Sequence, residues 1–235
     1  MERLLRVLDR CAAEGQPARF WLRDDDAVEP SAALDRLLAV TEGVPLTLAV
    51  IPAFSDAALA ARLACAPGVT VAVHGWAHRN HAGAGEKSQE LGAHRPVEAV
   101  LAELGQGFRH LQALHASQFV PLLVPPWNRI GPQVVAGLPG LGFQALSVFG
   151  PEQAGPIPEV NTQVDVIDWR GTRGGRAEGV LVDEIVARIA TGGAVGLLTH
   201  HLVHDAAVWG FLGRLVAATR GHPGCRWVGV AELMG

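Results

Sequence analysis

Residues 18–26 read Ala-Arg-Phe-Trp-Leu-Arg-Asp-Asp-Asp, a short β-forming run from Ala18 to Arg23 that ends in three adjacent carboxylates. The same grammar recurs outward along nearly the whole chain. Further β-rich runs lie at Leu46 to Ile51, Val69 to Val73, Phe119 to Val124, Gln144 to Phe149, Val164 to Ile167, Ala194 to Thr199 and Trp227 to Val230. Most are continuously apolar rather than alternating, as strands buried on both faces must be. Between them, Val97, Val100, Leu101, Leu104, Phe108, Leu111 and Leu114 keep the i, i+3, i+4 rhythm of a helix. Shorter helices are expected at Ser31 to Thr41, with Ser31 as N-cap, and at Ser55 to Cys65, Val180 to Ala190 and Ala206 to Thr219. Strand and helix in alternation imply parallel strands joined by crossover helices, hence an α/β barrel or a doubly wound sheet.

Composition narrows the classes. At about 150 residues per domain, 235 residues fit one large α/β domain better than two small ones. Apolar residues at 49% against 18% charged are enough to build a substantial core, which excludes wholesale disorder. The formal charge is −4 with no dense Lys/Arg tract, so neither nucleic acid nor an anionic bilayer is an expected partner. Charges interrupt every short apolar run at the N-terminus, and no stretch reaches the ~18 apolar residues of a membrane span. No membrane span and a cytoplasmic location are therefore expected, and a homo-oligomer is compatible with this composition. Cys11, Cys65 and Cys225 are widely spaced and odd in number, so they read as small core residues rather than as a disulfide framework or a sulfur-ligated metal site.

Reactive side chains fall just after predicted strand ends. Asp24, Asp25 and Asp26 follow the first strand, His74 and His78 the third, and Pro125-Pro126-Trp127-Asn128 the fourth; Asp165 and Asp168-Trp169 sit in or after the sixth, and His200-His201 close the seventh. In a parallel barrel all strand C-termini open on one face, so these groups would converge there. Three adjacent aspartates repel one another unless a cation or an arginine neutralises them. An isolated triplet reads as a solvated helix-capping turn, but a buried strand leading into it favours a metal. His74 and His78 are four apart, a spacing at which both imidazoles reach one ion, and His81 adds a third nearby. One carboxylate and two imidazoles suit a divalent ion, Zn²⁺ first, and leave positions open for water and substrate. His200 or His201 is a candidate general acid, because imidazole titrates near neutrality. Trp127 and Trp169 are either core aromatics or rim residues that stack on a sugar. Two long glycine-rich loops, 79–95 and 170–179, are candidate lids; the first carries Lys87 and Glu90, the second Arg170, Arg173 and Arg176, which could hold an anionic group.

The order and spacing of these clusters resemble the polysaccharide deacetylases, also called NodB-homology or carbohydrate esterase family 4 enzymes, over roughly Phe20 to His201. The motifs that carry the resemblance are Asp25-Asp26, the pair His74 and His78, Pro126-Trp127, Asp168-Trp169 and Leu198-Thr199-His200. It implies a single-domain, distorted (β/α) barrel of seven or eight mostly parallel strands. It also implies a divalent metal, most plausibly Zn²⁺, on Asp26, His74 and His78, with Asp25 as base and His200 as acid, and an N-acetylated carbohydrate as substrate. Register within the triplet leaves Asp24 and Asp25 as an alternative base and ligand, and His201 as an alternative acid. Trp127, Asn128, Arg129, Trp169 and His201 are the expected substrate contacts. Two positions depart from the family pattern. Val124 stands where an arginine usually orients the catalytic aspartate, a part that Arg129 or Arg23 would have to take, and Gly75 stands where a Ser or Thr usually steadies the histidine loop. These departures motivate a second reading, a non-catalytic metal-containing carbohydrate-binding barrel; a third is an amidase for a non-sugar amide, which the same water activation would serve.

Overall fold

The computed structural model describes residues 1–235. Its strands are β1 (Ala18–Ala27), β2 (Leu46–Val50), β3 (Val69–His74), β4 (Phe119–Val124), β5 (Ala145–Leu146), β6 (Val164–Asp165), β7 (Val195–Thr199) and β8 (Cys225–Trp227). The helices are α1 (Glu2–Ala13), α2 (Ala32–Val40), α3 (Ala57–Ala64), α4 (Val97–Leu114), α5 (Pro132–Gly137), α6 (Glu178–Ala190) and α7 (Ala206–Thr219). Every strand pairing is parallel, in the order β5-β4-β3-β2-β1-β7-β6. Phe20 pairs with Val195 on one edge of β1 and Trp227 on the other, so β8 occupies the edge that β2 takes over from Arg23 onward. The ladder curls, and isolated parallel bridges from Leu146 to Glu159 and from Phe149 to Thr162 link its ends. The expected α/β architecture is thus present as a distorted, incompletely closed barrel.

Two apolar faces hold it together. Phe20, Leu22, Leu48, Val50, Val71 and Val73 belong to a large cluster shared with Leu34, Leu37, Leu59, Leu104 and Leu212 of the surrounding helices. The alternate residues Trp21, Ala49, Ala72, Leu122 and Ala145 form a smaller cluster on the inner face. Each buried large side chain is worth roughly 1.5–3 kcal/mol, so the continuous apolar runs stabilise both layers at once. The small inner residues leave space for the Trp21 indole. Gly196 extends that logic, since a Cβ there would lie 2.5 Å from the Asn161 carbonyl and 2.6 Å from Trp21 Nε1.

Several boundaries differ from the sequence reading. β1 continues through the aspartates rather than stopping at Arg23, and β5, β6 and β8 are shorter than their apolar runs. Helix α1, with Leu4, Val7 and Leu8 buried, was not expected, nor was the short α5. The cysteines are not uniformly core residues: Cys65 caps the C-terminus of α3 at the surface, Cys11 is half-buried, and only the half-buried Cys225 packs against the large apolar cluster. No helix is long and apolar enough to cross a membrane.

Gly196→Ala is expected to cost about 1–3 kcal/mol by overpacking, read as a lower urea midpoint at unchanged slope.

Candidate active site

The aspartate triplet is placed by a β-bulge. Asp24 pairs with Leu48 but Ala27 pairs with Val50, so β1 spends one residue more than β2 over this interval. Asp26 takes up the difference in the left-handed region, at φ 73°, a conformation that Asp tolerates better than most residues. Adjacent carboxylates therefore reach three different partners: Asp24 engages His201, Asp25 engages Arg23, and Asp26 meets His74 and His78.

His74, the last residue of β3, donates through Nδ1 to the Val124 carbonyl at 2.9 Å. This bond orients the ring so that Nε2 faces Asp26 Oδ1, 3.0 Å away, and donates to it when the imidazole is protonated. His78, at φ 52° in the following loop, brings its Nε2 to 3.2 Å from the same oxygen, and its ring centroid lies 4.3 Å from that of Trp127. The donor atoms of Asp26, His74 and His78 all lie within 4.8 Å of one another. Donors about 2 Å from a tetrahedral ion stand roughly 3.3 Å apart, so the trio fits one divalent metal. Burial opposes ionisation of Asp26, but the His74 hydrogen bond and the neighbouring imidazoles outweigh it and hold the carboxyl below its ordinary range. Burial and the His74 charge push His78 down, toward the neutral form a ligand needs.

Asp25 is held from below. Arg23, two residues earlier on the inner face of β1, is 0% exposed. Its Nε lies 2.9 Å from Asp25 Oδ1, and its Nη2 donates to Asp25 Oδ2 at 3.0 Å and to Asn128 Oδ1 at 2.7 Å. Nη1 donates to the Ser147 hydroxyl and carbonyl at 2.7 and 3.1 Å. Arg23 is thus the arginine that holds Asp25 in place. His200 Nε2 stands 3.9 Å from Asp25 Oδ2, and the Trp169 ring meets His200 edge-on at 4.8 Å between centroids. Trp169 is itself steadied by donating to Asp165 Oδ2 at 2.8 Å.

Other expected site residues sit elsewhere. His201 is 2% exposed and donates its backbone N–H to Asp24 Oδ2 at 2.8 Å, with its ring on Oδ1 of the same carboxylate. Asp24 and His201 thus engage each other, away from the Asp26, His74 and His78 trio. Asn128 is tied to Arg23, and Arg129 donates to the Ser88 carbonyl at 2.8 Å, anchoring the 79–95 loop. His81 bonds Arg95 outside the trio. Asp168 accepts from the Gly171 and Thr172 amides, and Arg176 is engaged by Glu184, leaving Arg170 and Arg173 on that loop. Loop 79–95 is no free lid: Glu90 and Leu91 are both 1% exposed. Ser147 was not anticipated, and no signal in the sequence marks it.

No protein-family model matches the sequence, and no curated protein matches it either. Solved structures do. A family 4 carbohydrate esterase from Streptomyces lividans, in complex with acetate, is 17% identical over 88% of this chain and 91% of its own, with a TM-score of 0.60. A family 4 pseudoenzyme from Bacillus anthracis is 16% identical over 93% of this chain and 66% of its own, at 0.64. A family 4 acetyl xylan esterase from Clostridium thermocellum, with a cobalt ion, is 15% identical over 92% and 89%, at 0.57. The chain has the fold of the family 4 polysaccharide deacetylases.

Replacing Arg23 with Met leaves the buried Asp25 charge unpaired and is expected to cost about 3–5 kcal/mol; in Arg23→Met/Asp25→Asn the loss falls well below the sum of the singles, measured as a double-mutant cycle in urea. A second outcome concerns His204, whose Nε2 accepts from the His200 amide at 3.3 Å and meets the Thr199 hydroxyl. Burial drives its pKa down to about 3 from 6.5. The unfolded chain takes up the proton first, so stability is full above pH 6.5 and falls as pH drops toward 3. His204→Gln removes up to about 1.4 kcal/mol per pH unit from that slope between pH 6 and 4, measured against wild type.

Proposed function

We propose that this protein is a metal-dependent hydrolase that removes the acetyl group from an N-acetylated sugar or glycan precursor. The observation that carries the reading is the joint placement of Asp26, His74 and His78 around one point, with Asp25 locked beside them by Arg23 and His200 within 3.9 Å of that base. Asp26, His74 and His78 would hold one divalent ion, and their oxygen and nitrogen donors favour Zn²⁺. Such an ion, when bound, supplies Lewis acidity toward the amide carbonyl and lowers the pKa of a water toward about 7.

The chain's own groups then divide the proton work. Asp25 Oδ2 takes a proton from the attacking water, while Arg23 keeps the carboxylate from turning away. The N–H of Trp127 donates to the tetrahedral oxygen. His200 Nε2 delivers a proton to the departing amine, and Trp169 packs against its ring to restrict it. The exposed Trp169 and the half-buried Trp127 offer flat faces to a sugar ring. The products are acetate and a free amine. The same water activation would serve a non-sugar amide, but these aromatic faces favour a pyranose.

A second reading, a barrel that binds metal and carbohydrate without turnover, draws on one feature: His200 Nδ1 is buried with no hydrogen-bond partner, so no carboxylate orients the acid. Acetate release from N-acetylated hexosamines and their nucleotide conjugates separates the two. The hydrolase reading expects release that chelation abolishes and Zn²⁺ restores. It also expects kcat to fall by about 10²–10⁴-fold in Asp25→Asn and His200→Ala. Sugar binding with no release from any substrate would leave the non-catalytic barrel standing.

A further inference from the structure

The loop that carries His78 is built around a carboxylate from elsewhere in the chain. Glu90 accepts from the backbone N–H of Trp76 at 3.1 Å, of Ala77 at 2.8 Å and of Arg79 at 3.2 Å. Its side chain makes no salt bridge, so three amides supply its stabilisation, as oriented backbone N–H groups can for an anion. Gly75 is shaped to admit it. That residue has φ 58°, and a Cβ there would lie 2.1 Å from Glu90 Oε2 and 2.6 Å from Pro126 Cγ. Gly75 and Glu90 are therefore a matched pair, in which the carboxylate occupies the volume that a side chain at 75 would fill.

Glu90 arrives on the long 79–95 loop. The loop is pinned by the bridge from Leu91 to Ile130, by Gly131 N–H to the Leu91 carbonyl at 2.8 Å, and by His81 N–H to the Gln89 carbonyl at 3.0 Å. On the other side of the carboxylate stands His78, whose left-handed backbone costs of order 1–3 kcal/mol unless its surroundings impose it. The Ala77 and Arg79 amides flank His78, and both end on Glu90 Oε1.

We propose that Glu90 is the positioning residue of the metal centre, bracing the His78 loop through its amides so that metal affinity and docking of the 80–94 segment form one coupled equilibrium. The inference rests on Asp26, His74 and His78 binding a metal and is independent of the deacetylation chemistry. Coupling is reciprocal: by whatever factor docked Glu90 tightens the metal, the metal stabilises the docked loop.

The test titrates wild type, Glu90→Gln, Glu90→Ala and the loop control Lys87→Ala with Zn²⁺ against a chromogenic chelator. Amide hydrogen exchange over residues 76–94 is followed with and without the ion. The expected results are a Kd weakened about 10–100-fold in Glu90→Ala, less in Glu90→Gln, and unchanged in Lys87→Ala. Zn²⁺ should also slow exchange across 80–94 in wild type by a matching factor. Equal Kd values for wild type and Glu90→Ala overturn the proposal, as does unaltered loop exchange in wild type on binding Zn²⁺, a measurement that needs no variant to fold. Wild type that binds no divalent ion overturns the metal reading itself and the coupling with it. Tight Zn²⁺ binding without acetate release leaves the coupling intact and removes only the hydrolase reading.

Discussion

A fully buried guanidinium is the constraint around which the rest is arranged. Arg23 lies on the inner wall of the barrel, where water cannot solvate it, so losing its acceptors would cost the fold several kcal/mol. Its partners come from three places in the chain: Asp25 on the same strand, Ser147 after β5 and Asn128 after β4. Satisfying them draws three strand tips toward one axis. The small inner residues Ala49, Ala72 and Ala145 beneath it make room for the large groups of β1. What sets the site's geometry is therefore a packing and desolvation requirement inside the barrel, one that is present whether or not any ligand is bound.

The bulge in β1 converts that requirement into chemistry. In a regular strand Asp24 and Asp26 would share a face, with Asp25 opposite. One extra residue breaks the parity: Asp24 keeps the outer face and pairs with His201, while Asp25 and Asp26 both reach the groups at the mouth. The repulsion expected of three neighbouring carboxylates is relieved by giving each its own counter-charge or donor. Asp26 is the most exposed of the three, with a side chain 30% exposed against 2% for Asp25 and 0% for Asp24.

Much of the scaffold was legible because burial on both faces forces apolar continuity, which is readable at Leu46 to Val50 and Val69 to Val73 without knowing any partner. Helix α1 was not, since Arg3, Arg6 and Arg10 on its exposed side interrupt the short apolar stripe of Leu4, Val7 and Leu8. At the site, residue types and spacing singled out Asp26, His74 and His78, which the fold brings together. Sequence alone does not separate His200 from His201; the fold puts His200 near Asp25 and His201 on Asp24. Glu90 was legible only as a loop residue. Its partners are backbone amides 11–14 positions away, and amides carry no sequence signal.

The two departures from the family pattern have one explanation. The resemblance assigns an arginine to orienting the base and a Ser or Thr after the first histidine to steadying its loop. Neither role names a sequence position. Arg23 supplies the first from within β1 instead of from the end of β4, where Val124 can then be apolar and pack inside the barrel. Glu90 supplies the second from a remote loop, which obliges position 75 to be glycine. Each relocation fixes a second residue by steric or electrostatic necessity, so the changes come in pairs: Val124 with Arg23, and Gly75 with Glu90. At 17% identity to a carbohydrate esterase of the same fold, the chain still brings the donor atoms of Asp26, His74 and His78 within 4.8 Å of one another.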